Sequence, residues 1–193
     1  ELGTPEKEVV FGMVGRWHPL KDHLGFIRAL AGVRSAMPTG WRAWLVGPGV
    51  DDRNECLVRA IRDQGLQAYV HCLGPRLDVS SVMNAIDLHV LPSVGESFGN
   101  VTVEAMACGT PAIVTDVGAG AFIVGKTGWV VPAGAPDELA RTLVDSTRCM
   151  ADEVAWRERR RAARARAEAE FSVERMVEGY RRVWMDAAGA GQA

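Results

Sequence analysis

The chain is poor in the features that most often give an enzyme away. Its four cysteines (Cys56, Cys72, Cys108, Cys149) stand far apart with no CxxC pair, which removes zinc and thiol-redox motifs and suits buried or incidental thiols in a reducing compartment. The histidines, His18, His23, His71 and His89, are equally scattered. No HExxH, DxD or EF-hand spacing occurs, so no protein-held metal is expected. No apolar run approaches the roughly 20 residues that span a bilayer. The opening ELGTPEKEVV lacks the basic start and apolar core of a secretory signal. Charge is nearly balanced, with 22 basic and 24 acidic residues and a net of −2, so no global field draws nucleic acid. The first residue is Glu rather than Met, which leads us to expect a piece of a longer protein.

What is present fits one ordinary α/β domain. The 193 residues are 48% hydrophobic and 24% charged, enough for a substantial core. Short apolar runs predict strands at Val9–Gly15, Arg42–Gly47, Ala68–Gly74, Asp87–Ser93, Pro111–Asp116 and Gly128–Pro132. Several are continuously apolar rather than alternating, as in a parallel sheet covered on both faces. Between them, helical patterns run over Lys21–Met37, Asp52–Gln64, Val79–Ile86 and Asn100–Cys108, with a short piece near Ala119–Val124. The alternation predicts a doubly wound, mostly parallel six-stranded sheet with helices on both faces. From Ala135 to Asp186 the pattern is helical only. Pro136 and two acidic residues mark one helix start, and Ser172 can cap another. The domain is therefore expected over residues 1–186, with a frayed tail at 187–193.

A nicotinamide-type fingerprint is missing. Gly47–Pro48–Gly49 follows the second strand, not the first, and reads as a turn. With the usual strand order 3-2-1-4-5-6, ligands bind where strands 1 and 4 diverge. The loops after those strands, GRWHPLKDH and PSVGESFGN, are the two richest in charged and glycine residues. They bring Gly15, Arg16 and Lys21 toward Glu96 and a helix start at Gly99–Asn100. Arg16 and Lys21 suit a diphosphate, and the amides of Ser97, Phe98, Gly99 and Asn100 add neutral donors at a helix N-terminus. Glu96 and Glu104 would repel phosphate, so they are assigned to hydroxyl groups, Glu96 to a sugar and Glu104 to a ribose. A carboxylate buried in the apolar run Val101–Cys108 would need a partner. Taken singly, Arg16, Lys21 and Glu96 also read as solvated charges, and Glu104 as a structural hydrogen bond to the preceding loop; only their convergence points to a site. His18 and His23 read as packing or surface histidines, and Trp156 and Trp184 as packing against neighbouring helices.

The segment GESFGNVTVEAMACGTPAIVTD strongly resembles the E-x7-E block of retaining GT-B glycosyltransferases of glycosyltransferase family 4. MVGRWHPLKDH resembles their Gly-Arg…Lys block, AFIVGKTGWVVPAGAPDELA their next block, and FSVERMVEGYRRVW their final helix. The resemblance covers almost the whole chain in the right order. It implies that Arg16 and Lys21 hold the diphosphate and that Glu96 contacts donor-sugar hydroxyls. It places Phe98 and Gly99 amides on sugar and phosphate, Asn100 and Val101 near the distal phosphate, and Glu104 on the ribose. Arg76 and Leu77 would wall the base. It further implies a Rossmann-like half of a GT-B fold, a UDP-, GDP- or ADP-sugar as co-substrate, no cofactor, and an acceptor held by an N-terminal domain. One departure stands out: where many relatives carry Gly-Gly-x-x-Glu, this chain has VGAGAFIVG, with Ala121 or Phe122 in place of the acid.

The expected function is thus donor binding for metal-independent, retaining sugar transfer, in polysaccharide, lipopolysaccharide or glycolipid synthesis, on the cytoplasmic side. Alternatives from the same residues are a nucleotide-sugar epimerase of GT-B fold and a non-catalytic nucleotide-binding module. Arg157–Arg166 holds six arginines; most such faces are solvated and paired, and a peripheral contact with the inner membrane face is the other reading. The base, sugar, acceptor and oligomeric state are not written in the sequence.

Overall fold

A computed structural model describes residues 8–37 and 40–190. Six strands, β1 (Val9–Val14), β2 (Trp41–Val46), β3 (Val70–Gly74), β4 (Leu88–Leu91), β5 (Ala112–Thr115) and β6 (Trp129–Val131), form one sheet in the order β3-β2-β1-β4-β5-β6. Every pairing is parallel. Both the predicted order and the doubly wound class are found, with β1 and β4 as the neighbours from which the chain winds in opposite directions.

Side chains of the inner strands alternate between two apolar layers. Phe11, Met13, Ala43 and Leu45 face a core closed by α1 (His23–Val33), α2 (Glu55–Asp63) and α6 (Pro136–Met150). Val10, Val14, Trp44 and Val46 face α3 (Val79–Ala85) and α4 (Asn100–Ala107). A third cluster joins Leu91, Met106 and Val114 to α5 (Gly120–Val124) and to Ala163 and Ala167 of α7 (Glu153–Phe171). Two buried faces explain why the strands read as continuous apolar runs.

The predicted helix from Lys21 to Met37 is broken in two. Pro19–Lys21 forms a 3-10 turn, and Asp22 then adopts φ +51°, which no α-helix continues. Its Oδ1 accepts from the Gly25 amide at 2.9 Å and caps α1. A Cβ on Gly25 would lie 2.1 Å from the Asp22 carboxylate, so the cap requires glycine there. Pro136 and the acidic Asp137 and Glu138 open α6 as expected. Ser172 accepts from the Arg175 amide at 3.3 Å at the start of α8 (Val173–Ala190). That helix continues beyond Asp186, where composition placed a frayed end; residues 191–193 of the tail lie outside the described residues.

Trp156 half-buries itself against Trp129, ring centroids 6.4 Å apart. Trp184, also assigned to packing, is instead 69% exposed, because α8 turns its apolar stripe outward. The thiols are unpaired and none is buried: Cys56 and Cys149 are exposed, Cys72 and Cys108 half-buried. Burial pushes Cys72 up to about 11.

His23 and His89 are buried beneath the carboxyl edge of the sheet. His89 Nδ1 lies 3.1 Å from the Gly12 carbonyl oxygen, which assigns the ring proton to Nδ1. Burial lowers both histidines to about 4, and the charge of Lys21 acts in the same direction. Both rings are therefore neutral in the fold, whereas the unfolded chain protonates them near pH 6.5. Their contribution is intact above that pH and drains away as pH falls toward 4. Stability measured by urea titration is expected to fall between pH 6.5 and 5, with a slope of about 1.4 kcal/mol per pH unit for each histidine. A pH-independent stability across that window would show that these rings are not neutral in the fold.

Candidate functional site

The loops leaving the carboxyl ends of the strands are tied to one another by backbone hydrogen bonds. Gly47 N donates to Gly74 O (2.9 Å), joining the β2 and β3 loops. Trp17 N donates to Pro48 O (2.8 Å), joining the β1 and β2 loops. Val94 N donates to Leu20 O (2.9 Å) across the divergence of β1 and β4. Ala119 N donates to Ser97 O (3.0 Å) and fastens the β5 loop to the β4 loop. Two glycines make the approaches possible. Gly47, at φ +148°, packs so closely that a Cβ would lie 2.2 Å from Gly15 O. Gly118, at φ +54°, would place a Cβ 2.1 Å from Glu96 O.

This belt brings together the central pair of the sequence reading. Lys21 Nζ and a Glu96 carboxylate oxygen form a direct ion pair between the β1 and β4 loops, 75 residues apart in the chain. Both side chains are mostly covered. Arg16 stands exposed on the same β1 loop, and Gly15 is fixed by donating from its amide to Val46 O at 2.8 Å. Below the pair, Ser93, Thr102, His23 and His89 each bury a polar atom that has no partner among the described residues. The two neutral rings add no charge, and Arg16 and Lys21 are the cations of the β1 loop.

Gly99, at φ +89°, caps α4 without a side chain. No side-chain oxygen therefore competes for the first-turn amides of Asn100 and Val101, which an anion could accept from. Ser97 and Phe98 lead into this turn with exposed side chains, and Ser97 N lies 3.3 Å from Glu96 Oε1.

Glu104 needs a correction. It is exposed, not buried among apolar neighbours, so no desolvation cost argues for a partner. Helical period explains this: Thr102, Ala105 and Met106 point inward, while Asn100 and Glu104, four apart, share the outer face. Glu104 opens instead on a cavity of about 640 Å³ shared with Phe98, Asn100, Phe122, Phe171 and Arg175. The two glutamates of the E-x7-E spacing thus meet different surroundings, joined through Phe98. Arg76 and Leu77 are exposed on the β3 loop, at the same edge but two strands from β1. Arg76 is held in a two-pronged bond by Asp78 (2.7 and 2.6 Å), and Leu77 is fully exposed. Among the described residues no three His, Cys, Asp or Glu side chains gather as a metal site.

The sequence reading missed Asp22, Gly47 and Gly118. A lone GPG after β2 and the VGAG segment read as plain turns; the only signal was glycine at consecutive carboxyl-edge loops.

Comparison with known proteins agrees with this architecture. The profile of the family described as glycosyl transferases group 1 matches residues 8–147. A D-inositol 3-phosphate glycosyltransferase of Rhodococcus erythropolis is 37% identical over 150 residues, covering 74% of this chain and 34% of the relative. A protein of the same name from Salinispora arenicola is 34% identical, covering 98% of this chain and 44% of the relative. The chain thus spans less than half the length of these relatives. Among solved structures, Anabaena HepE in complex with UDP and glucose superposes with a TM-score of 0.80 at 30% identity, over 93% of this chain and 48% of that one.

The two kinds of glycine are separable by mutation. Gly47→Ala meets both an unfavourable φ and a backbone atom, and is expected to cost about 3 kcal/mol or more. Gly134→Ala, at φ +67° with nothing within 4 Å, is expected to cost only about 1 kcal/mol. Thermal melts of the two variants check this; equal losses would mean that the Gly47–Gly15 approach is not a fixed feature of the edge.

Proposed function

The chain belongs to the glycosyl transferases group 1 family, and from that premise we propose that it is the donor-binding half of a retaining glycosyltransferase. Its fold is one half of the GT-B architecture. The ligand of the carboxyl edge is a nucleoside diphosphate sugar. The observation that carries this reading is the meeting of Lys21 and Glu96 at the divergence of β1 and β4, beside exposed Arg16 and the open start of α4.

In the proposed mechanism the diphosphate lies between Arg16, Lys21 and the amides of Gly99 to Val101. Charge grows on the diphosphate as the glycosidic bond breaks, and these donors are already oriented toward it. Glu96 orients sugar hydroxyls and opposes the positive charge developing on the ring. Glu104, on the wall of the 640 Å³ cavity, takes the ribose. Two cations and a helix start supply the charge stabilisation that a metal supplies elsewhere, so the reaction is proposed to be metal-independent. The names of the relatives support an inositol phosphate as the acceptor class, in glycolipid or related polysaccharide synthesis on the cytoplasmic side.

The acceptor is proposed to bind a second domain. The length of the relatives supports this, and so does α8. Val173, Met176, Val177, Tyr180, Val183 and Trp184 are all exposed and recur at helical spacing, an apolar stripe suited to a further domain.

Titration of this chain with UDP, GDP and ADP is expected to raise its melting temperature for one of them. At 100 times the dissociation constant the gain is about 2.7 kcal/mol. Lys21→Ala and Arg16→Ala are each expected to weaken that nucleotide by about tenfold or more, with Arg16→Ala, which removes no ion pair among the described residues, melting close to the parent. Failure of all three nucleotides to bind, or binding indifferent to both substitutions, overturns the site. Sugar transfer by this chain without a second domain would overturn the division of labour.

A further inference from the structure

The arginines of α7 divide into two sets. Arg159 and Arg166 are absorbed by the fold. Arg159 lies over the Trp129 ring at 4.5 Å, and Arg166 donates to the carbonyls of Phe122 and Ile123. The remaining four, Arg157, Arg160, Arg161 and Arg164, follow i, i+3, i+4, i+7 spacing and so share one face over about 10 Å of helix. They line an open recess of about 450 Å³ with Met150, Trp156 and Gly109.

This stripe works against helix stability. Arg157–Arg160, Arg157–Arg161, Arg160–Arg164 and Arg161–Arg164 are like-charge neighbours, each mildly repulsive. Arg157 also sits in the second turn of α7, near its positive dipole end, where a cation is unfavourable. Only partial relief comes from the protein. Arg164 pairs with Glu168 at 2.8 Å and Arg160 donates to Gly109 O at 3.0 Å, while Glu153 is the one carboxylate lining the recess. Arg157 and Arg161 are exposed and have no carboxylate partner among the described residues. An external anion would relieve all of these repulsions at once.

The location separates this face from the donor cleft. Gly109 lies between α4 and β5, at the amino ends of the strands, whereas Lys21 and Glu96 lie beyond the carboxyl ends. We propose that the Arg157–Arg164 face of α7 docks on an anionic phospholipid bilayer, its guanidinium groups paired with headgroup phosphates. The cations are spread along the helix, which matches a sheet of phosphates better than one phosphate ion. Val154, 66% exposed one turn before Arg157, adds apolar surface at the same end, and Met150 and Trp156 give the recess an apolar floor. Each arginine near such a surface contributes about a fivefold gain in partitioning. The docking is independent of whether the donor cleft takes a nucleotide sugar.

Co-sedimentation with vesicles tests it, using the chain as it stands. Binding is expected to vesicles rich in phosphatidylglycerol at low salt and to disappear at high salt. Arg157→Ala with Arg161→Ala is expected to lower partitioning about thirtyfold. Arg28→Ala with Arg59→Ala removes the same charge from exposed positions on α1 and α2, outside the recess, and is expected to leave it within about threefold. Equal binding to pure phosphatidylcholine, no binding by the parent chain, or the same loss in both double variants overturns the proposal. Capture of short RNA without sedimentation on vesicles would overturn it too.

Discussion

The carboxyl edge of the sheet depends on backbone touching backbone. A parallel sheet positions strand ends but leaves its connecting loops free, since none of them is part of the ladder. Here those loops donate to one another in sequence: β2 to β3, β1 to β2, β4 to β1 and β5 to β4. At two of the contacts, Gly47 on Gly15 and Gly118 on Glu96, a side chain of any size would force the strands' ends apart. The Lys21–Glu96 pair is a result of this belt rather than its cause. An ion pair between two free loops would spend most of its attraction on ordering them. Between two loops already tied, as these are by Val94 and Leu20, it does not.

Much of this was legible in the residues. The strand order assumed from the sequence is the usual one for a doubly wound sheet, which the structure bears out, and that order places Arg16 and Lys21 in the same region as Glu96. Strand boundaries moved by two residues at most, as where β3 starts at Val70 rather than Ala68, while α1 ends at Val33, four residues short of the expected Met37. Asp22 was hidden because an aspartate at φ +51° leaves no trace in hydrophobic period; the apolar pattern runs on across it. Glu104 was misjudged because a string of apolar letters does not say which face of a short helix they occupy. Trp184 failed for a similar reason: an apolar stripe looks the same in sequence whether or not the chain supplies its partner. The two buttressing glycines looked like ordinary turn glycines, since the obstacle each avoids comes from another loop.

Two chemically distinct ends emerge on one domain. Where β1 and β4 diverge, the carboxyl edge holds the Lys21–Glu96 pair, mostly covered and set by backbone geometry. The amino edge near Gly109 carries four arginines held at mutual disadvantage on one helix. The same helix, α7, connects them, running from Arg160 beside Gly109 to Phe171, whose ring meets Phe98 at 6.0 Å. Its alanines, Ala163 and Ala167, are buried against α4 and α5, and these small residues let that turn of the helix lie close to the sheet's covering layer.

The covered state of Lys21 has an entropic side. A lysine carries on the order of 2 kcal/mol of rotamer freedom, which an exposed side chain gives up only when it closes on a ligand. Held by Glu96 from the moment the domain folds, Lys21 has already surrendered most of it. The proposed diphosphate would meet an ammonium group standing in place, and would have to draw it away from the Glu96 carboxylate.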